Sequence, residues 1–307
     1  MLIKEHEPLG LKTTMRIGGT ARYFSELESK EDVEEAYKFA QEKNLPLVIL
    51  GAGANTIFAD GTIEALVVRV KADDVMVSPP AVSNVELSNY DNLGNVKVEA
   101  GKNLAILINE CAEVGLDLSP LTGIPGTLGG AIVGNAGQGP KGNWIDSFVK
   151  SVVIFEDGEW KTLSKEDCQF AYRESMFKKR TSEQANKRII IWEVALEIPT
   201  GEPEEIKSTI EELLKKRIES QPHAKTAGSC FKAANGTPAW ELIDKAGLRG
   251  FKAGGISISD KHANFLINEE EGNFEDVRTI INKVQEKVPE LKEVEMRLIG
   301  EDGQPKK

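Results

Sequence analysis

The chain has 307 residues, long enough for two or three domains with a substantial buried core. Its 49 acidic and 38 basic side chains leave a net charge of −11, which argues against a nucleic-acid binder; a few local cations and backbone N–H groups can still hold an anionic ligand. Cys111, Cys168 and Cys230 form no C-x-x-C pair and His6, His223 and His262 no H-x-x-x-H pair, so neither a disulfide framework nor a metal site is expected. MLIKEHEPLG lacks an apolar h-region and no segment reaches membrane-span length, so the expectation is a cytoplasmic protein, a monomer being favoured.

In chain order, Ser29 followed by Asp32 resembles a capping box opening a helix through EDVEEAYKFAQEKN. The runs LVIL (47–50), EALVVRV (64–70) and NVKVEA (95–100) read as strands, the last two bracketing a segment rich in Ser, Pro and Asn. NLAILINECAEVG has helical apolar spacing and stops on Gly115. FVKSVVIFEDGEWKTL reads as a hairpin turning at Asp-Gly, and RIIIWEVALEI (188–198) as a long strand. Residues 201–220 read as a helix with Pro203 in its first turn, after a composition shift near Thr200 that suggests a domain boundary. PAWELIDKAG, HANFLIN, FEDVRTIINKVQEKV and LKEVEMRLIG then alternate helix and strand, and the tail EDGQPKK reads as frayed.

Residues 122–142 hold eight of the 28 glycines and no charged side chain except Lys141. Glycine is costly to order, so such a run needs a cause: a close approach between packed elements, or backbone amides turned toward an anion. LVILGAGANTIFADG (47–61) poses the same choice. It starts like a dinucleotide fingerprint, but Thr56 stands where the third glycine belongs and IFADG reads as strand and turn, not helix. GQGPKG (137–142) satisfies G-x-G-x-x-G literally, yet Pro140 and NWID open no helix, and a G-K-[ST] P-loop is absent. Two glycine loops that each follow an apolar segment favour a dinucleotide held outside the Rossmann plan.

Eight strings, in order and spanning nearly the whole chain, are TTMRIGGTARYF, ILGAGANTIFADG, GIPGTLGGAIVGNAGQG, FAYRESMFK, AGSCFK, LIDKAGLRG, SDKHANFLIN and VEMRLIG. On these residues the chain resembles the UDP-N-acetylenolpyruvoylglucosamine reductase family, in its shorter, type II-like branch. The resemblance implies an α+β fold: a two-part FAD-binding domain of the PCMH/vanillyl-alcohol-oxidase-like type (1–71 and 72–200) and a C-terminal α/β substrate-binding domain (201–307). It implies NADPH-dependent, FAD-mediated reduction of UDP-N-acetylglucosamine enolpyruvate to UDP-N-acetylmuramate in peptidoglycan precursor synthesis. FAD would be lined by Arg16, Gly51, Gly53, Ala54, Asn55, Gly123, Ile124, Pro125, Gly126, Gly129, Gly130, Asn135, Ala136 and Gly137.

The same resemblance assigns catalysis to three residues. Arg173 is the cation at the enolpyruvyl carboxylate, Glu295 polarises that carboxylate in protonated form, and Ser229 gives the proton to the α-carbon. Each has a plainer reading: a surface ion pair for Arg173, a capping turn for Ser229, and for Glu295 with Arg297 the solvent face of a strand whose other face is Val294, Met296 and Leu298. Cys230 is expected to be packed and inert, and His262 structural. The chain departs from the family at Ala233-Ala234-Asn235, where Asn-Pro is usual, and at Ser220, where a basic residue is usual; Tyr172, Arg217, Lys232 and Arg249 are candidate substrate contacts, with Lys225 a further replacement cation. Two other readings are a different FAD oxidoreductase, which leaves the C-terminal strings unexplained, and a redox-inactive nucleotide-sugar binder.

Overall fold

A computed structural model describes residues 1–78, 93–137, 142–183 and 189–306. The elements are β1 (Lys4–Pro8), β2 (Thr20–Leu27), α1 (Lys30–Glu42), β3 (Leu47–Ile49), β4 (Thr56–Phe58), β5 (Thr62–Val70), β6 (Val75–Ser78), β7 (Leu93–Glu99), α2 (Leu104–Glu113) and α3 (Leu128–Gly134). They continue as β8 (Val149–Glu156), β9 (Glu159–Ser164), α4 (Met176–Glu183), β10 (Ile189–Pro199), α5 (Pro203–Ser220), α6 (Ala239–Lys245), β11 (Lys252–Ala253), β12 (Ile256–Ile258), β13 (Leu266–Asn268), α7 (Phe274–Lys287), β14 (Arg297–Ile299) and β15 (Pro305–Lys306). The chain divides into two compact units. Unit 1 is Met1, Glu26–Lys38 and Arg69–Arg217; unit 2 is Leu2–Ser25, Phe39–Val68 and Ile218–Lys307.

Unit 1 is built on an antiparallel sheet in the order β6-β7-β10-β8-β9. Period-two patterning is the cause: Val96 and Val98 of β7, and Val194, Leu196 and Ile198 of β10, are buried while Asn95 and Lys97 face out. The β8–β9 turn closes on Glu156 and Glu159, with Asp157 at φ +53° and Gly158 at φ +92°, as a two-residue hairpin turn with both φ positive demands. Asn103 caps α2, its Oδ1 accepting from the Ala105 and Ile106 amides at 3.0 and 3.2 Å.

In unit 2, strands β1-β2-β5-β3 form one sheet, β11-β12-β13 a second and β15-β14-β4 a third. One apolar core runs through it, including Phe24, Val48, Phe58, Ile63, Phe231, Ile258, Val277, Ile281 and Leu298. Helix α7 carries a reciprocal capping box: Asn273 Oδ1 accepts from the Asp276 amide at 3.0 Å, and Asp276 Oδ2 accepts from the Asn273 amide at 3.1 Å.

Three readings change. The tail is not frayed through its length, since Pro305 and Lys306 pair antiparallel with Ile299 and Leu298. Strand β6, unexpected in the polar segment, pairs with β7; residues 79–92 of that segment lie outside the described residues. The glycine run is not loop throughout, because 128–134 wind into α3, capped by Thr127 Oγ1 on the Gly130 amide at 3.3 Å. Replacing Asn103 with Ala should lower stability by about 1 kcal/mol, as loss of a helix cap does, read as a lower urea midpoint at unchanged slope.

Candidate active site

In unit 2, β3 ends at Ile49 and the loop 51–55 leads into β4. Gly53 sits at φ +71°, where a Cβ would lie 2.3 Å from Lys12 O and 2.7 Å from Thr13 Cα, while its carbonyl accepts from the Thr14 amide at 3.1 Å. Packing alone therefore demands glycine at 53. Among the described residues, none of the five N–H groups of 51–55 donates to another protein group. Successive unengaged amides on a turn make an anion nest, so the loop fits a pyrophosphate such as that of FAD.

Around this loop the fold gathers residues far apart in sequence. Asn55 Nδ2 donates to Glu295 O at 3.1 Å, and Asn55 O accepts from the Arg297 amide at 2.9 Å. Strand β14 runs parallel to β4, Arg297 opposite Thr56. The Glu295 amide donates to Cys230 O at 2.7 Å and the Lys232 amide to Glu293 O at 3.1 Å, which lays 229–232 beside 293–296. Gly228, at φ +78°, would carry a Cβ 4.0 Å from Ala54 O. Ser229, Glu295, Ala54 and Asn55 are thus brought together within one unit.

Glu295 and Arg297 do not lie on a solvent face; both are half-buried. Arg297 Nη1 donates to Ile49 O at 2.8 Å, tying the end of β3 just before the glycine loop, and burial lowers its pKa to about 10. Neither Arg297 nor Asn264, another residue of this neighbourhood, stood out in sequence. Asn264 is 6% exposed, with Oδ1 accepting from the Phe231 amide and Nδ2 donating to Phe231 O, both at 2.9 Å. The available signal was a polar side chain inside the apolar run ANFLIN.

Other expected residues of unit 2 are engaged elsewhere. Arg16, exposed at φ +61°, donates to Leu11 O and lines a cavity of about 670 Å³ with Asp60, Lys225, Asn268 and Glu271. Arg249 grips Asp244 with two nitrogens at 2.8 and 2.9 Å, and Lys232 pairs with Glu293 at 2.8 Å. The departure at Ala233 begins a tight turn: Ala234 and Thr237 exchange backbone hydrogen bonds across Asn235 (φ +51°) and Gly236 (φ +77°).

In unit 1, Tyr172 and Arg173 are the tip of a two-residue turn in which Ala171 and Glu174 exchange backbone bonds at 3.0 Å. Arg173 holds φ +56°, a costly conformation for any residue but glycine and one that persists only under constraint. The constraint is visible. Asn135, fully buried at φ +40° at the end of α3, donates from Nδ2 to Ala171 O at 3.0 Å and accepts at Oδ1 from the Asp146 amide at 3.2 Å. Lys178 Nζ donates to Arg173 O at 2.9 Å. Tyr172 leans on Trp144, ring centroids 5.8 Å apart, and Trp144 also occupies the space a Cβ on Gly137 would need.

Arg217 donates from Nη1 to Thr122 O at 3.0 Å and lays its stem over Gly123, where a Cβ would stand 2.5 Å from Arg217 Cδ. Burial, then the charge of Arg173, lowers its pKa to about 10, so a buried cation lies beside the first part of the glycine run. Gly123 and Gly126 have positive φ, and among the described residues their amides donate to no protein group. Ile124 is buried, and its amide closes a turn onto Leu121 O; Pro125 is exposed beside it. Gly129 instead packs on Ala100, its amide bonded to Ala100 O at 2.9 Å, and the Ala136 amide turns back to Ala131 O. Residues 138–141 lie outside the described residues.

The thiols are not reactive centres. All three are buried; burial pushes Cys111 and Cys168 up to about 12 and Cys230 well above 9, the Glu295 charge adding to the last. Among the described residues no cluster of His, Cys, Asp and Glu could hold a metal, and no helix is long and apolar enough to cross a membrane. His262 packs edge-on against Phe265 at 4.7 Å, accepts the Asn264 amide at Nδ1, and has its pKa lowered by burial and then by Arg249. A depressed histidine contributes stability that is whole above the ordinary value of about 6.5 and is lost as pH falls through the folded value. The urea midpoint should therefore fall from pH 7 toward pH 5, and His262→Asn, which keeps an acceptor near Nδ1, should flatten part of that slope.

Residues 21–164 match the family described as FAD binding domain, and residues 221–298 the C-terminal domain of UDP-N-acetylenolpyruvoylglucosamine reductase. The UDP-N-acetylenolpyruvoylglucosamine reductase of Carboxydothermus hydrogenoformans is 36% identical over 93% of this chain and 89% of its own. The second such reductase of Bacillus cereus is 35% identical over 98% and 93%. The crystal structure of the Thermus caldophilus enzyme superposes with a TM-score of 0.77 at 30% identity, covering 97% of this chain and 98% of that one. With that agreement along nearly its whole length, the chain belongs to the UDP-N-acetylenolpyruvoylglucosamine reductase family.

Proposed function

We propose that this chain reduces UDP-N-acetylglucosamine enolpyruvate to UDP-N-acetylmuramate with NADPH and FAD, as a monomer in the cytoplasm. In this reading 1–71 and 72–200 carry the flavin and 201–307 the substrate. The observation that supports it best is the convergence of Ser229 and Glu295 on the loop 51–55, whose amides are unengaged among the described residues. FAD, when bound, supplies the two-electron carrier between NADPH and the enolpyruvyl ether.

The residues that would hold FAD are the amides of Gly51, Gly53, Ala54 and Asn55 with those of Gly123 and Gly126, joined by Ile124, Pro125, Gly137 and Arg16; Gly129, Gly130 and Ala136 spend their amides inside the protein and would donate none to it. Asn135 acts through the Tyr172–Arg173 turn that its carboxamide holds. Reduction of the enolpyruvyl β-carbon drives negative charge into the neighbouring carboxylate. Arg173 meets that charge as a cation and Glu295 as a hydrogen-bond donor, so both interactions strengthen as the enolate forms. Ser229 Oγ then gives its proton to the α-carbon, a base strong enough to take one from an alcohol. Arg217, with Lys232 and Arg249 further out, offers charge to the diphosphate, while Tyr172 borders the substrate.

Anaerobic mixing tests the reading directly. NADPH should bleach the bound flavin and the enolpyruvyl ether should restore its colour; failure of the second step would point to another flavin oxidoreductase. Ser229→Ala should bleach normally yet recover its colour about 100-fold more slowly, and recovery at the parent rate would remove Ser229 from the role. Arg173→Lys should also lose about 100-fold in turnover, because an ammonium cannot reproduce a planar two-pronged contact with a carboxylate. Normal turnover there would take Arg173 out of the site.

A further inference from the structure

We infer that Asn264 is a positioning residue for proton delivery by Ser229, an inference resting on the role of Ser229 proposed above. The segment 229–232 belongs to no named strand or sheet and pairs only through isolated bridges. It is held from both sides. On one side the Cys230 carbonyl takes the Glu295 amide and the Lys232 amide reaches Glu293 O. On the other, the Cys230 amide donates to Asn264 O at 2.7 Å, and Ser229 pairs with Phe265 in an isolated bridge.

The backbone then stops supplying partners at Phe231, and the Asn264 side chain takes over. Its carboxamide engages both the N–H and the C=O of Phe231, a residue only 2% exposed. A carboxamide carries one acceptor and a donor in a plane, so it can imitate the edge of a neighbouring strand. Without it two buried backbone groups lose their partners, and the cost falls on a segment that has no sheet to keep its register. Asn264 is itself aimed from behind, its amide on His262 Nδ1 at 3.3 Å. The Ser229 hydroxyl is thereby delivered from a peptide whose next two residues, Cys230 and Phe231, have every backbone N–H and C=O engaged. Misplacing a reacting group by about 1 Å costs on the order of 100-fold in rate.

The test uses Asn264→Asp, which keeps the shape and the acceptor for the Phe231 amide while losing the donor to Phe231 O, together with Asn264→Ala. In both holoenzymes NADPH should bleach the flavin at the parent rate, while recovery with the enolpyruvyl ether slows about 10- to 100-fold. The same changes are then placed on Ser229→Ala. If Asn264 acts through Ser229, they cause no further slowing of that variant's residual recovery. Equal slowing on both backgrounds, parent-rate recovery in the single variants, loss of bleaching, or failure of both variants to retain FAD would each overturn the inference. The control separates the two claims: Ser229→Ala recovering at the parent rate sinks the proton-donor role itself, whereas a slow Ser229→Ala beside a normal Asn264→Asp sinks only the positioning role.

Discussion

The hydrogen bond from the Glu295 amide to the Cys230 carbonyl, 2.7 Å long, is the join on which the unit 2 site depends. It couples two stretches more than sixty residues apart, and each is also tied to something else. Asn55 Nδ2 fastens the Glu295 carbonyl to the end of the glycine loop, and Asn264 fastens Cys230 and Phe231. Neither stretch is a long strand with a ladder of its own; β14 begins only at Arg297. Short extended pieces keep a register when side chains and single bridges replace the missing ladder, and here asparagines supply both replacements. A polar interior of this kind is worth its desolvation only if every group is satisfied, which the two-pronged Asn264 contact achieves.

The glycines divide by what they touch. At 53 and 123 the left-handed φ and a close neighbour both exclude a side chain, and in each case the neighbour is a part of the candidate site: the backbone of 12–13 under the first loop, the stem of Arg217 over the second. At 129 the neighbour is Ala100, and the reason is helix packing alone. Packing and anion binding are not rivals at 53. The turn that brings Gly53 O onto the Thr14 amide also leaves the loop's own amides facing away from protein acceptors. One backbone conformation serves both purposes.

Much of this could be read from the residues. The Ser29–Asp32 box, where Ser29 Oγ accepts from the Asp32 amide at 3.2 Å, and the Asp-Gly hairpin are local signals, and local signals survive into the fold because tertiary contacts reinforce them. The α3 helix was hidden because three glycines in seven residues argue against a helix, and only the Thr127 cap and the contact with Ala100 overrule that propensity. The turn at Asn235-Gly236 is the Asn-Gly pair that favours a hairpin turn with both φ positive. Glu295 and Arg297 were illegible for a different reason. Alternation tells which residues share a face, and it says nothing of what covers that face. Here the cover comes from 49–55, more than two hundred residues away, through Ile49 O, Asn55 and β4.

Charge follows the same logic of local against global. A chain of net charge −11 is expected to repel anions, yet unit 1 sets Arg217 where burial and the charge of Arg173 both act against its protonated state. Arg217 stays a cation at neutral pH, since even a value of about 10 leaves it protonated. A guanidinium buried within the field of a second cation is costly for the unliganded protein. In the proposed reaction that expense is useful: a dianionic diphosphate and a carboxylate relieve the repulsion on binding, and charge that grows on the carboxylate during reduction relieves it further. The strained turn at Arg173 belongs to the same account, because it fixes the backbone from which that proposed cation projects. Asn135 and Lys178, which grip the carbonyls of Ala171 and Arg173, hold that turn.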